Sequence, residues 1–193
     1  MIGPIGPSGP HASRGSARGE ARKDQSHGGP SHDGASHGDV VRYGSLEVPA
    51  KHAHDFETAA AYLSKDPSMA AILQKAQQLD HPLHLQINHH NDDSYDPTTN
   101  TVNWDPHSAL ETTDGGRQSP ALGLGHELDH ATVDAGVRVR GSWSFDAAYD
   151  NAEERRVVEG SEAHAAQTLG EDVRHDHSGS VYTVSSPILR RIA

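Results

Sequence analysis

The feature that most restricts how this chain can fold is the uneven placement of its aromatic residues. None of the first 40 positions is Phe, Trp or Tyr, and 19 of those 40 are Gly, Pro or Ser. Such a stretch cannot bury enough apolar surface to offset the conformational entropy lost on folding. Every aromatic lies in the remaining portion, which at about 150 residues can support one modest core. The sequence therefore divides into a disordered tail rich in Gly, Ser, Pro and His over 1–42 and a single α+β domain over 43–193.

Charge follows the same division. In the first 40 residues Glu20, Asp24, Asp33 and Asp39 balance Arg14, Arg18, Arg22 and Lys23, so the whole formal charge of −11 belongs to the residues that follow. A surface that acidic repels phosphate backbones and anionic lipid, which argues against nucleic acid and against a membrane as partners. No apolar run approaches the ~20 residues of a membrane span. The first residues lack the basic and apolar regions of a Sec signal. With no cysteine in the chain, a metal would have to be held by imidazole and carboxylate.

Local patterns give the elements. Phe56, Ala59, Ala60 and Leu63 recur at helical spacing, and Asp66 followed by Pro67 reads as an N-cap and first turn for a second helix carrying Met69, Ile72, Leu73 and Ala76. Pro82 to His89 alternates as a half-buried strand, and 94–96 with 101–104 reads as a hairpin. Ser119 and Pro120 open a helix whose buried stripe is Leu124, Leu128, Ala131 and Ala135. A helix is predicted from Asn151 to Glu159 ending at Gly160, then another from Glu162 to Leu169, capped by Ser161 and closed by Gly170. Val181 to Val184 is a final strand candidate.

The third helix carries the strongest chemical signal. His126 and His130 lie four apart and project to the same side, so both imidazoles can hold one zinc ion. Glu127 sits one step round, placed to take a proton from water activated by that ion. Two histidines need a third protein ligand. Val133 and Gly136 occupy the positions of the Gly and His of the extended metzincin motif, so the ligand must come from elsewhere. Glu153 and Glu154 on the next helix suit a gluzincin-like arrangement, and Asp146 is the aspzincin-like rival. Glu154 shares a helical face with Val157 and Val158 and is the first choice, with Glu153 as its alternative and supporting partner. His89 to Asp93 reads as a strand end running into a solvated loop.

Three blocks together resemble a known family. They are His126, Glu127, His130 and Ala131; then Asn151, Glu153, Glu154, Arg156, Val157, Val158, Gly160 and Glu162; then Leu169, Gly170, Glu171, Arg174, His177 and Gly179. In this order they are similar to the NleD/XopG zinc metallopeptidase effectors, over roughly 43–179. The resemblance implies a small zincin-like fold, one Zn²⁺ per chain, and endopeptidase activity against a host protein. It also implies delivery by type III secretion machinery, so that the protein acts inside the host cell, with the tail as export segment. Better-known relatives cut MAP kinases within the activation loop. For the oxyanion, Tyr149, Arg174, His175, His177 and Tyr182 are candidates, and Arg174 and His177 are preferred because they fall in a family-like block. His175, Asp176 and His177 read as an oxyanion donor or a surface loop ahead of a second metal site. Two other readings stand beside the peptidase: a non-catalytic zinc-containing adaptor that binds a host protein, and a His-rich protein that sequesters several loosely held ions.

Overall fold

A computed structural model describes residues 39–89 and 93–189. The chain separates into units Met1–Ala35 and Ser36–Ala193, and the described residues all belong to the second. The tail, apart from its last residues, lies outside them, as do His90, Asn91 and Asp92. The domain begins earlier than composition indicates. Val40–Tyr43 is already strand β1 and pairs antiparallel with β2, Leu46–Pro49. Val40, Val41 and Arg42 are thus sheet and not tail, because a strand can pair through its backbone with little apolar content of its own.

Gly44 turns this hairpin at φ +63°, and a Cβ there would lie 2.1 Å from the Gln77 carbonyl oxygen. Only glycine fits a position that is both left-handed and this close to another segment. From β2 the chain passes through a short 3₁₀ turn, Ala50–His52, into α1, Ala53–Leu63, and α2, Pro67–Gln77. Asp66 caps α2 through the amides of Ser68 and Met69, as its sequence predicts. Caps of this kind contribute about 1 kcal/mol.

Strands β3 (Leu83–Ile87), β4 (Ser94–Asp96) and β5 (Thr101–Trp104) complete a five-stranded sheet in the order β1-β2-β3-β5-β4. The β2–β3 and β3–β5 pairs are parallel, and β4 forms an antiparallel edge. In β3, Leu83 and Leu85 are buried while His84 and Gln86 face outward, the alternation expected of a sheet with one packed face.

Next come β6 (Ser108–Thr112) and β7 (Arg117–Gln118), then α3, Pro120–Thr132, which packs on α1, α2 and β5. Ser119 caps α3 and the Trp104 indole donates to the Pro120 carbonyl at 2.8 Å, fixing the start of the helix against the sheet. Leu124 and Leu128 are fully buried, each contributing about 1.5–3 kcal/mol of burial.

The rest of the chain wraps the other side of α3. It contains α4 (Ala135–Ser142), the small pair β8 (Phe145–Asp146) and β9 (Asp150–Asn151), and α5 (Ala152–Val157). A wide π turn over Val158–Glu162, kinked at Gly160, leads into α6, Ala163–Leu169. Finally β10 (Gly179–Thr183) pairs with β6 to give the second sheet, β10-β6-β7. Asn151 caps α5 by accepting from the amides of Glu153 and Glu154, and Gly170 closes α6 at φ +72°. Ser161 does not cap a helix as predicted: the backbone is already wound there, and its hydroxyl donates to Asp129. The architecture is mixed α+β, and no helix among the described residues is long and apolar enough to cross a membrane.

Candidate metal centre

The imidazoles of His126 and His130 leave α3 one turn apart, and both are buried. Their Nε2 atoms lie 3.0 Å from each other. Glu154, on the first turn of α5, brings Oε2 to 3.0 Å from His126 Nε2 and 3.1 Å from His130 Nε2. His177, in the segment leading to β10, brings its Nε2 to 3.2 Å from the same oxygen. His126, Glu154 and His177 each offer one ligand atom within 4.8 Å of the others. Nitrogen and oxygen atoms held about 2.0–2.2 Å from a tetrahedral zinc would be spaced only slightly wider than the 3.0–3.2 Å seen here.

The opposite edge of each ring explains this convergence. His126 Nδ1 lies 2.7 Å from Glu162 Oε2, His130 Nδ1 lies 3.1 Å from Glu153 Oε1, and His177 Nδ1 lies 2.7 Å from Asp150 Oδ2. A ring that donates through Nδ1–H to a carboxylate keeps a lone pair on Nε2. Three such lone pairs and a carboxylate oxygen facing one another repel unless a cation or added protons lie among them. The donor set therefore fits a divalent ion, and imidazole with carboxylate and no thiolate suits zinc. Carboxylates on the far nitrogen of ligating histidines are the usual second layer of such sites.

That layer is itself anchored. Arg174 grips Glu162 with Nε on Oε1 and Nη2 on Oε2, both at 2.7 Å. Arg156 does the same for Glu153, at 3.0 and 2.7 Å, and its Nη2 also reaches Asp129 at 2.8 Å. Burial opposes ionisation of Glu162, but the His126 hydrogen bond and the Arg174 charge outweigh it and hold the carboxyl well below its usual range. Glu153 is held down in the same sense by His130 and Arg156, and Glu154 by His126 and His130. Burial likewise opposes the charged form of His126, and the bonds to Glu154 and Glu162 raise it nonetheless.

No protein-family model, curated protein or solved structure matches the chain. The site must be read from its own geometry.

Glu127 points past the donors, with Oε1 4.0 Å from His126 Nε2. Burial pushes its carboxyl above the usual range, and the neighbouring imidazoles only partly offset this. Two clefts meet at Glu127, His177 and Asp93. One, of about 310 Å³, runs past Ser108, Leu110, Gln118 and Val181. The other, of about 370 Å³, runs between the β4 edge and α4, past Tyr95, Pro97, Arg138 and Val139. Asp93 accepts from the Asp105 amide, and burial pushes its carboxyl up to about 7.

Residues singled out in the sequence fall into three groups. His126, Glu127, His130, Glu153, Glu154 and His177 come together at the centre. Arg174 lies beside them, but Nε and Nη2 are directed onto Glu162, and Nη2 is 3.1 Å from His126 Nδ1. Asp146, His175, Tyr149 and Tyr182 are engaged elsewhere or exposed. Asp146 accepts from the amides of Ala148 and Tyr149 and from Arg155. Tyr149 is buried under Arg155, Tyr182 lies beneath Arg117, and His175 is exposed. Asp176 accepts from Thr113 and the Ser178 amide, so the three residues 175–177 do not converge. His89 is exposed, 3.7 Å from Asp105, and its neighbours His90 to Asp92 lie outside the described residues.

Sequence reasoning did not assign roles to Glu162 and Asp150. The one local signal for Glu162 is an acid at the start of a small-residue helical stretch, Ala163, Ala165 and Ala166. Its distance of 36 positions from His126 in sequence left nothing to connect them.

Proposed function

We propose that the protein is a zinc-dependent endopeptidase with a zincin-like, gluzincin-type centre. The observation that carries this reading is the convergence of His126, His130 and Glu154 beside Glu127, at the junction of two clefts. A junction of this kind lets a peptide run through on both sides, as cleavage within a chain requires. His126, His130 and Glu154 would hold the ion. When bound, zinc supplies a Lewis acid that acidifies water and polarises the peptide carbonyl.

Glu127 acts on protons. It accepts one from the attacking water and returns it to the departing amine, a role that suits a buried carboxylate with a raised pKa. His177, held at Nδ1 by Asp150, turns its Nε2 towards the place where negative charge develops on the carbonyl oxygen. Arg174 positions Glu162, and through it His126, instead of meeting the oxyanion. Glu153 orients His130. The resemblance of the motif blocks alone extends the proposal to a type III effector that acts on a host protein such as a MAP kinase.

A second reading has its own observation. The 3.2 Å separation of His177 Nε2 from Glu154 Oε2 also suits a fourth ligand, and a fully ligated zinc is structural. In that case the protein is a zinc-containing adaptor. Incubating zinc-loaded protein with a randomised peptide library, with Glu127→Gln as control, tests the choice. The peptidase reading expects cleavage by the wild type and none by the variant, and intact peptides with both would leave the adaptor.

A further inference from the structure

The cleft beside α4 contains a cation that the proposed reaction does not use. Arg138 stands half-buried in its wall. Its Nη1 donates to the His130 carbonyl at 2.8 Å, and its guanidinium lies over the Tyr95 ring, 5.1 Å from the centroid. These contacts orient the group without neutralising it. The other arginines of the site, Arg156 and Arg174, are each ion-paired with a carboxylate. Among the described residues Arg138 has no such partner.

The setting makes that charge informative. The chain has a formal charge of −11, so an arginine in this cleft has many acids to pair with, and among the described residues it pairs with none. Glu153 and Glu154, which share the wall, are already engaged by Arg156 and by the imidazoles. Tyr95 covers one face of the guanidinium plane and the His130 carbonyl takes one of its five N–H donors. Among the described residues nothing else engages its remaining edge, which suits in-plane, bidentate bonding, the geometry in which arginine recognises a carboxylate. Pro97 and Val139 line the same cleft with apolar surface, which lowers the local dielectric and strengthens such a pair.

We propose that this cleft binds a substrate side chain bearing a carboxylate, and that Arg138 is the residue that reads it. The proposal rests on the peptidase reading and adds the class of segment cleaved: one with an acidic residue close to the scissile bond. Arg138 determines specificity and takes no part in proton transfer.

The test uses short fluorescein-labelled peptides, identical except for one Glu, Gln or Lys beside a central Leu. They are titrated by anisotropy against zinc-loaded Glu127→Gln protein, which cannot consume them. The Glu peptide should bind about tenfold more tightly than the Gln peptide, as a charge-assisted hydrogen bond implies, and the Lys peptide most weakly. Adding Arg138→Gln should abolish the difference with zinc content unchanged, and Arg138→Lys should keep part of it. Equal binding of the Glu and Gln peptides, or a preference that survives Arg138→Gln, overturns the assignment. The library digest separates the two proposals. Cleavage without enrichment of acids near the cut removes the role of Arg138 and leaves the peptidase standing. No cleavage, with the Glu preference intact, removes the peptidase and leaves Arg138 as a reader of acidic segments.

Discussion

His126 and His130 are built differently from His177, although all three point Nε2 at the same carboxylate oxygen. The two helical rings are buried, each held by a buried carboxylate that an arginine grips in turn: Glu162 with Arg174, Glu153 with Arg156. His177 comes from a segment outside helix and strand, and the carboxylate at its Nδ1, Asp150, has a side chain 76% exposed. No arginine backs Asp150 among the described residues. Buried, doubly anchored donors stay in place with or without an ion, whereas a ring tied by an exposed pair can swing at little cost. The difference assigns permanence to one half of the centre and mobility to the other, as a site needs if one position must admit a substrate.

The comparison can be broken most directly with the metal itself. His126→Ala should reduce zinc from about one per chain to nearly none, because the remaining helical ring and Glu154 cannot hold the ion tightly. His177→Ala should retain it. Equal zinc loss in the two variants, measured by elemental analysis after dialysis, would show that His177 is as permanent a ligand as His126.

Glu127→Gln comes next in expected effect. Peptidase activity should fall by roughly 10² to 10⁴ while zinc content and the circular dichroism spectrum stay as in the wild type. Full activity in this variant would move the proton chemistry elsewhere in the cleft.

The second layer sharpens the contrast. Glu162→Gln should weaken zinc affinity by roughly 10- to 100-fold, the usual range for such partners. Asp150→Asn should change it far less, since its carboxylate is mostly in water. Competition with a chelator gives both numbers, and matched losses would erase the distinction between the two halves.

The smallest effect is on thermal stability of the metal-free protein. Glu153, Glu154 and Glu162 are depressed, so their contribution is complete above the ordinary carboxylate value of ~4.3 and is lost as pH falls below it. His126 is raised, so its contribution is complete below ~6.5 and is lost as pH climbs towards about 10. The chelated protein should therefore melt highest between those limits, by a few degrees. The stabilisation gained on adding zinc should grow as pH climbs towards about 10, where the proton on His126 ceases to compete with the ion. A flat melting profile in chelator would mean that the imidazole–carboxylate pairs are not formed without the ion.

The parts legible in the sequence were those fixed by local rules. Asp66 with Pro67, Ser119 with Pro120, and Gly170 announce helix ends through their own side-chain and backbone chemistry, and 83–87 alternates because one sheet face is buried. His126, Glu127 and His130 could be placed because their geometry depends only on helical pitch. Glu154 was chosen because it shares a face with Val157 and Val158, yet Glu153 is the more deeply buried of the pair. The carboxylate that meets the imidazole Nε2 atoms is the less buried of the two, and apolar phase does not report which acid turns towards the rings. Strands β6 and β7 and helix α4 carry too little hydrophobic contrast to stand out. Val137 and Val139 on α4 are exposed. Glu162 and Asp150 act only through tertiary contacts, which no spacing along the chain encodes.

The π turn at Val158–Glu162 has a consequence for chain length. It lets one continuous stretch hold His126 from both sides, with Glu154 at Nε2 and Glu162 at Nδ1. The interval between those two acids thus works as a ruler. Inserting or deleting a single residue there would rotate everything beyond it by about 100° around the helix axis, taking Glu162 off the ring and Arg174's anchor with it. The exposed turn between β6 and β7 could absorb the same change. Length variation in this protein is therefore open at its surface turns and closed in the segment that joins α5 to α6.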